Sequence, residues 1–400
     1  MSAATPHPAD LSRDPDLLRD ADGLNAPVAD RRALLLRLAW SVIAEPGDGV
    51  AGRLAAALGV AGALEFVSTA RERALPPSGA DVSARELAAA LERWRPRLGA
   101  RLLRDAVRAA RRARLTVLIP EGELWPSRLP DLGPHAPFAL WVRGDAPALA
   151  RLERSIAIVG ARAATPYGEH VAGMLAGELA ERGVCVVSGG AYGVDGVSHR
   201  AALGAGGPTI AFVAGGADRV YPAAHAHLFA RIAERGAVVS EVPPGVAPTK
   251  WRFLQRNRLI AAVSGATVVV EAGRRSGSLN TAGHAAALGR PLGAVPGPVT
   301  SATSEGSHRL LREFDAMCIT SCADALELLG EWDEAAAPSG ERTRPETIRV
   351  LDALAPRAWR DADEIARRSG LSLAEVQAQL GLLELDGRVE SDPEGWRLAR

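Results

Sequence analysis

The 400-residue sequence predicts an α/β fold: a doubly wound, mostly parallel sheet, with a helical domain before it and a small domain of helices and a hairpin after it. Three observations predict this. Between Ser155 and Thr320, short apolar runs alternate with helix-length intervals, the pattern of strands covered on both faces by crossover helices. Before that stretch, apolar residues recur every three to four positions. After it, two helix starts carry capping-box signatures: Asp361 with Glu364, and Ser372 with Glu375.

Each element follows from local pattern. Residues 1–30 are rich in Asp, Ala and Pro and are expected to form a disordered tail. Over 31–114, Leu34, Leu35, Leu38 and Val42, then Leu87, Leu91, Trp94 and Leu98, mark the helices of a SAM-like domain, with breaks at Pro46-Gly47 and Pro76-Pro77-Ser78-Gly79. Over 115–330, strands are expected at Leu115–Ile119, Phe138–Arg143, Ile156–Val159, Val184–Val187, Thr209–Val213, Ala237–Ser240, Thr267–Val270 and Leu292–Val295. Helices fit 167–182, 195–205, 224–235, 252–263, 278–289 and 305–314. Residues 331–344 are a charged Ala/Pro/Ser linker, and 345–400 hold three helices and a hairpin turning at Asp392-Pro393-Glu394-Gly395. Helix–helix–helix–hairpin reads as a winged-helix-like domain, with a small dimerisation cap as the alternative.

Composition excludes several classes. The 47 Lys+Arg balance 47 Asp+Glu, so bulk charge names no partner. Between 85 and 114, however, ten Arg face only Glu86, Glu92 and Asp105; these are either solvated helix faces or a surface for a polyanion. Three cysteines are too few for a disulfide framework, and Cys318 and Cys322 lack neighbours for a metal site. The N-terminus has no signal-peptide pattern. The longest uncharged run, Ala201–Ala217, is cut by Gly204, Gly206, Gly207 and Pro208, which does not suit a membrane span, so a cytoplasmic protein is expected.

The chemistry is expected on the loops at the carboxyl ends of the strands. Four are glycine-rich: Gly160-Ala161-Arg162, Ser188 to Asp195, Gly215-Gly216 with Asp218 and Tyr221-Pro222, and Glu271 to Ser278. Such loops let backbone N–H groups approach an anion at a helix N-terminus. Neither a G-x-G-x-x-G fingerprint after the first strand nor a phosphate-binding G-x-x-x-x-G-K-[ST] loop is present. The densest cationic run is Lys250-Trp251-Arg252-Phe253-Leu254-Gln255-Arg256-Asn257-Arg258, four cations and two aromatics with no acid. Its lysine is the only one beside 46 arginines (47 minus 1). The arginines suit phosphate oxygens, and the aromatics are either core anchors or base-stacking surfaces. Asp195 and His199 are four apart, but without a G-x-S-x-G elbow they are expected to be structural.

Together these residues resemble the DNA-processing protein A (DprA/Smf) family. Gly160 to Arg162, Ser188 to Asp195 with His199, Gly216 to Pro222, Ser240 to Gly245, Phe253 to Arg258, Val269 to Ala282 and Val295 to Gly297 follow that family's motif order from about Leu115 to Leu329. The resemblance implies an extended Rossmann-like domain that binds single-stranded DNA, forms a homodimer, and helps load RecA recombinase during natural transformation. It implies no enzyme activity, cofactor, metal or membrane. By motif, Arg162, Lys250, Arg256, Asn257 and Arg258 map to the DNA pocket. Gly160, Ser188, Gly189, Gly190, Gly193, Ser276 and Gly277 would complete its rim, and Phe253 or Tyr192 would stack a base. Tyr192 stands where the family usually has Arg, Leu254-Gln255 departs from its FPxRNR box, and the segment from Gly306 to Leu311 departs from its late G-x-N motif.

Two further expectations follow. From Glu341 to Arg400 ten Arg face twelve acids, and the third helix carries Glu375, Glu384 and Asp386 with no base, so this module is expected to contact protein rather than DNA. The rival for the central domain is a nucleotide-binding enzyme or sensor of the phosphoribohydrolase-like group, whose catalytic acid has no counterpart in Gly273 to Thr281.

Overall fold

The computed structural model describes residues 14–70, 74–331 and 345–399. The described residues up to 331 form one compact unit and those from 345 another.

The first unit begins with helices α1 (Pro15–Asp22), α2 (Arg31–Ile43), α3 (Gly49–Thr69), α4 (Ala84–Trp94) and α5 (Ala100–Arg112). Side chains cap three of them: Asp30 accepts from the Arg32 and Ala33 amides, Asp48 from Val50 and Ala51, and Ser83 forms a capping box with Glu86. Helix α3 has the length and apolarity of a membrane span, but Gly59 breaks it at φ 72°. Its Leu54, Leu64 and Val67 are buried in the helical core beside Trp40 and Trp94, whose rings meet edge to face at 5.6 Å.

The expected tail is corrected here. Residues 1–13 lie outside the described residues, but from Asp14 onward the segment is ordered. Leu17 and Ala21 of α1 are fully buried, and Asp20 pairs with Arg108 at 2.8 Å and Arg111 at 3.0 Å. The hydrogen bond from Arg108 holds the Asp20 carboxyl below its ordinary range, against some desolvation. The Asn25 amide donates to Thr116 Oγ1 at 2.7 Å. Part of the arginine excess on α5 therefore neutralises the acidic segment before it.

Nine strands follow: β1 (Thr116–Leu118), β2 (Leu140–Gly144), β3 (Ser155–Val159), β4 (Cys185–Ser188), β5 (Thr209–Val213), β6 (Ala237–Ser240), β7 (Ala266–Val269), β8 (Leu292–Ala294) and β9 (Met317–Cys318). Their order is β1-β2-β6-β5-β4-β3-β7-β8-β9. Both pairings of β2 are antiparallel and all others are parallel. Alternation splits β1 and β2 between two cores: Val117 and Trp141 face the helical one, and Leu118, Leu140 and Val142 face the sheet's own.

Crossover helices cover both faces. Helices α6 (Pro166–Glu181) and α7 (Val194–Gly204) pack on one side. On the other lie α9 (Lys250–Val263), α10 (Ser278–Ala287) and α11 (Glu305–Glu313). Helix α8 (Ala226–Arg235) buries Leu228, Phe229 and Ile232 against β5 and β6, and the short α12 (Cys322–Glu327) closes the unit. Strand β9 and helix α12, two and six residues long, are too short to leave a periodic signal. Because β4, β5 and β6 extend to one side of β3 and β7, β8 and β9 to the other, the strand order reverses between β3 and β7. That is where an open parallel sheet leaves a crevice.

Of the expected linker, residues 332–344 lie outside the described residues. Glu331 belongs to the first unit, where both its carboxylate oxygens accept from Arg154 at 2.6 and 2.7 Å. The second unit is a winged helix: α13 (Pro345–Ala353), α14 (Ala362–Ser369) and α15 (Leu373–Leu385), then the hairpin β10 (Val389–Asp392) and β11 (Gly395–Leu398). Val350, Ile365, Val376, Leu380 and Val389 form its core. Ser372 and Glu375 form the expected capping box on α15, whereas at α14 Asp361 accepts from the Glu364 amide without the reciprocal side-chain bond.

Candidate nucleic-acid interface

The crevice between β3 and β7 is an open cleft of about 480 Å³. Its walls are the turn Gly160 to Ala163, one face of α9, and the loop Gly273 to Ser278. Positions 253, 256, 257 and 260 of α9 share a helical stripe, so Phe253, Arg256, Asn257 and Ile260 all line it.

Glu271 at the end of β7 braces the walls. Its buried carboxylate accepts from the Thr165 amide at 2.9 Å, the Thr165 hydroxyl at 2.8 Å and the Thr303 hydroxyl at 2.7 Å. It therefore fixes the start of α6 rather than facing a ligand. Gly193, at φ 70°, is required because a Cβ there would strike the Ala161 and Arg162 carbonyls.

The cleft floor holds a buried cation. Arg256 donates to the Gly189 carbonyl at 2.8 Å, to the Phe212 carbonyl, and through Nε to Asn257 Oδ1 at 3.2 Å. Burial lowers its pKa to about 10, opposed by the Asp195 charge, so it stays cationic at neutral pH. Asp195 lies on the same floor; burial raises its pKa although Arg256 pulls the other way. Asn257 in turn donates to the Gly277 carbonyl at 3.2 Å, tying α9 to the opposite wall.

The mouth is cationic and open. Arg162, Arg274 and Arg275 are exposed, and the Arg162 guanidinium lies 4.7 Å over the Phe253 ring. Helix α10 begins here, its Ser278 amide donating to Ser276 Oγ at 3.4 Å and its Leu279 and Asn280 amides to the Ser276 and Gly277 carbonyls, next to an exposed Gly277 with open space where a Cβ would be. Guanidinium forks are suited to phosphate oxygens.

The structure brings Gly160, Arg162, Phe253, Arg256, Asn257, Ser276 and Gly277 to the cleft. It does not bring the remaining predicted residues there. Arg258 is only 3% exposed and pairs with Glu241 at 2.6 Å on the opposite side of α9. Arg252 likewise reaches back to Glu45, which Arg97 also holds. Ser188 is buried with its hydroxyl on the Ile158 carbonyl at 2.6 Å. Gly189 and Gly190 are buried too: they make room for the Arg256 guanidinium and the Phe229 ring rather than for an anion. Gly193 packs on the turn after β3, while Tyr192 and Lys250 are exposed outside the cleft lining. Trp251, 58% exposed, is not a core anchor.

Sequence reasoning missed Arg274, Arg275 and the floor carboxyl of Asp195 as lining residues. The signal for the first two was their place between Gly273 and Ser276-Gly277. His199 is buried and bonds Thr209 Oγ1 at 2.7 Å, away from any catalytic arrangement with Ser188. Among the described residues no cluster of His, Cys, Asp and Glu is arranged to hold a metal.

Comparison with known proteins bears on this geometry. A family model for DNA recombination-mediator protein A matches residues 116–330, and one for the DprA winged helix domain matches 334–395. A DNA processing protein DprA of Mycobacterium tuberculosis is 50% identical over 275 residues, covering 66% of this chain and 70% of that one. Protein Smf of Escherichia coli is 38% identical over 299 residues, covering 71% and 78%. The X-ray structure of DNA processing protein A from Streptococcus pneumoniae aligns with a TM-score of 0.59 at 29% identity, over 75% of this chain and 98% of that one. With one family model matching the sheet, another the winged helix, and a relative 38% identical over 71% of this chain, the chain belongs to the DNA recombination-mediator protein A family.

Proposed function

We propose that this chain binds single-stranded DNA along the carboxyl edge of its sheet, protects the incoming strand, and helps load RecA recombinase onto it during natural transformation. In this reading it works in the cytoplasm as a homodimer and catalyses no reaction. The observation that carries the reading is the mouth of the cleft, where Arg162, Arg274 and Arg275 are exposed and Arg162 lies over Phe253. Guanidinium forks receive phosphates, while a ring beside them receives a base whose faces are free. A duplex, whose bases are already stacked, has nothing to offer that ring.

Fluorescence anisotropy with a labelled oligonucleotide tests this. Single strands should bind with an affinity falling about 0.7 log units per neutralised phosphate per decade of salt, duplex should bind less tightly, and mononucleotides should compete poorly. Equal binding of duplex, or efficient displacement by mononucleotides, would overturn it. Faster RecA filament formation on single strands in the presence of the protein tests the loading role.

One observation favours a second reading, a nucleotide-binding enzyme or sensor: the Asp195 carboxyl on the cleft floor, its pKa raised by burial. Incubation with nucleoside monophosphates and a search for released base separates the two.

A further inference from the structure

The chain has three tyrosines, all at the carboxyl edge of the sheet and about half exposed: Tyr167 in the first turn of α6, and Tyr192 and Tyr221 on loops. Tyr167 is anchored, its hydroxyl donating to the Pro296 carbonyl at 2.6 Å. The other two are not anchored through their hydroxyls among the described residues. They are held by ring contacts instead. Tyr221, 54% exposed, leans on Phe253 with ring centroids 5.7 Å apart. Tyr192, 50% exposed, stands edge-on to His225 at 5.0 Å.

His225 follows Tyr221 by four residues and reaches Tyr192. It is buried, its Nδ1 lies 3.1 Å from the Gly190 carbonyl, and it sits in the short helical turn that follows Tyr221-Pro222. The rings thus form two pairs, Phe253 with Tyr221 of the loop after β5 and His225 with Tyr192 of the loop after β4, and the short turn from Tyr221 to His225 links the pairs through the backbone. Trp251 is not part of either, being turned roughly 200° from Phe253 around α9.

We propose that Tyr221 and Tyr192 form a second base-stacking subsite, which takes the nucleobases of a single strand after it leaves the cleft. This inference rests on the single-strand reading above and extends it. Three features support it. Tyr221 is in ring contact with Phe253, which also has the guanidinium groups of Arg162 and Arg256 beside it, and His225, four residues after Tyr221, holds the Tyr192 ring. Half-exposed rings fixed by packing are already ordered, so stacking a base on them costs little conformational entropy. The loops after β4 and β5 lie one and two strand spacings from β3, about 5 and 10 Å, so a strand crossing the cleft toward that side of the sheet passes over them. His225 acts as a positioning residue that keeps the Tyr192 ring upright.

The test compares an oligo-thymidine with an abasic strand of the same length, titrated against the full chain and its variants. Tyr192→Ser and Tyr221→Ser should each weaken binding of the thymidine strand about five-fold or more. They should leave abasic-strand affinity and the slope against salt unchanged, since rings do not neutralise phosphates. Tyr192→Phe and Tyr221→Phe should bind like the wild type, which separates a missing ring from a disturbed loop. Wild-type affinity in both serine variants, or equal losses for thymidine and abasic strands, would overturn the proposal. If the wild type binds no single strand at all, the functional reading falls and takes this inference with it.

Discussion

The guanidinium of Arg162 and the ring of Phe253 meet at 4.7 Å across the mouth of the cleft. One comes from the turn after β3 and the other from α9, so the contact joins two walls that are distant in sequence. The same ring has Arg256 at 5.9 Å. A solvent-facing cation and a buried one therefore share one aromatic surface, yet their tasks differ. Arg256 has carbonyl partners inside the protein, whereas Arg162 lies exposed at the entrance.

That division predicts how charge removal reads out. Arg162→Ala, Arg274→Ala and Arg275→Ala should each weaken single-strand binding and flatten the log–log salt dependence by about 0.7 for every phosphate left without its cation. Because these side chains are exposed, unfolding free energy should move by no more than about 0.5 kcal/mol. Anisotropy titrations at several salt concentrations, beside urea melts, check both halves. An unchanged salt slope in all three variants would remove them from the interface.

The back of α9 should behave in the opposite way. Glu241 and Arg258 form a pair with side chains 11% and 3% exposed, and burial pushes the Glu241 carboxyl up despite the neighbouring guanidinium. Glu241→Gln leaves a buried cation without its counter-charge, a change that costs about 3 to 5 kcal/mol. Glu45 is more exposed; burial raises its pKa, but hydrogen bonds from Arg252 and Arg97 outweigh this and the net shift is downward. Glu45→Gln should cost about 1 kcal/mol or less. Urea melts of the two variants compare them directly, and equal losses would show that burial does not govern these pairs.

Acid sensitivity has an identifiable contributor in His199. Burial lowers its pKa from 6.5 to about 3, so the folded protein keeps the ring neutral where the unfolded chain protonates it. Stability is therefore lost as pH falls below about 6.5, by about 2 kcal/mol between pH 7 and pH 5 for this group alone. Asp195 and Glu241, both shifted upward by burial, act in the opposite sense, which is why the comparison must be made within one variant pair. His199→Gln should shrink the difference in stability between pH 7 and pH 5 by that amount. If the two proteins lose stability in parallel, the ring is not neutral in the fold.

How far the sequence could be read depended on where each stabilising partner lies. Strands β3 to β8 are apolar on every side, bounded by glycine or polar turns, and their limits fall within about a residue of those expected from pattern alone. Helix α1 was illegible because its partners, Arg108 and Arg111, are about ninety positions away. Within the basic box, composition concealed direction. Residues two apart on a helix point roughly 200° from each other, so Arg256 and Arg258 cannot both face the cleft, and only Glu241 reveals which one turns away. Gly189 carried the same ambiguity, since a close approach to an anion and a close approach to Arg256 require the same missing side chain.

The winged helix presents a surface unlike a reader of DNA grooves. On α15 the exposed positions include Glu375, Glu384, Leu382 and Leu385, the last 86% exposed, and the helix carries no Lys or Arg. A helix in the major groove needs cations for the phosphates and donors for the base edges, and carboxylates there oppose both. Removing residues 345–400 should therefore leave single-strand affinity within about two-fold, because the cleft residues and their braces all lie in the first unit. Equilibrium titration of the shortened chain against the full one decides it. A loss of ten-fold or more, about 1.4 kcal/mol, would mean that this acidic module contributes to binding by a route its surface chemistry does not suggest.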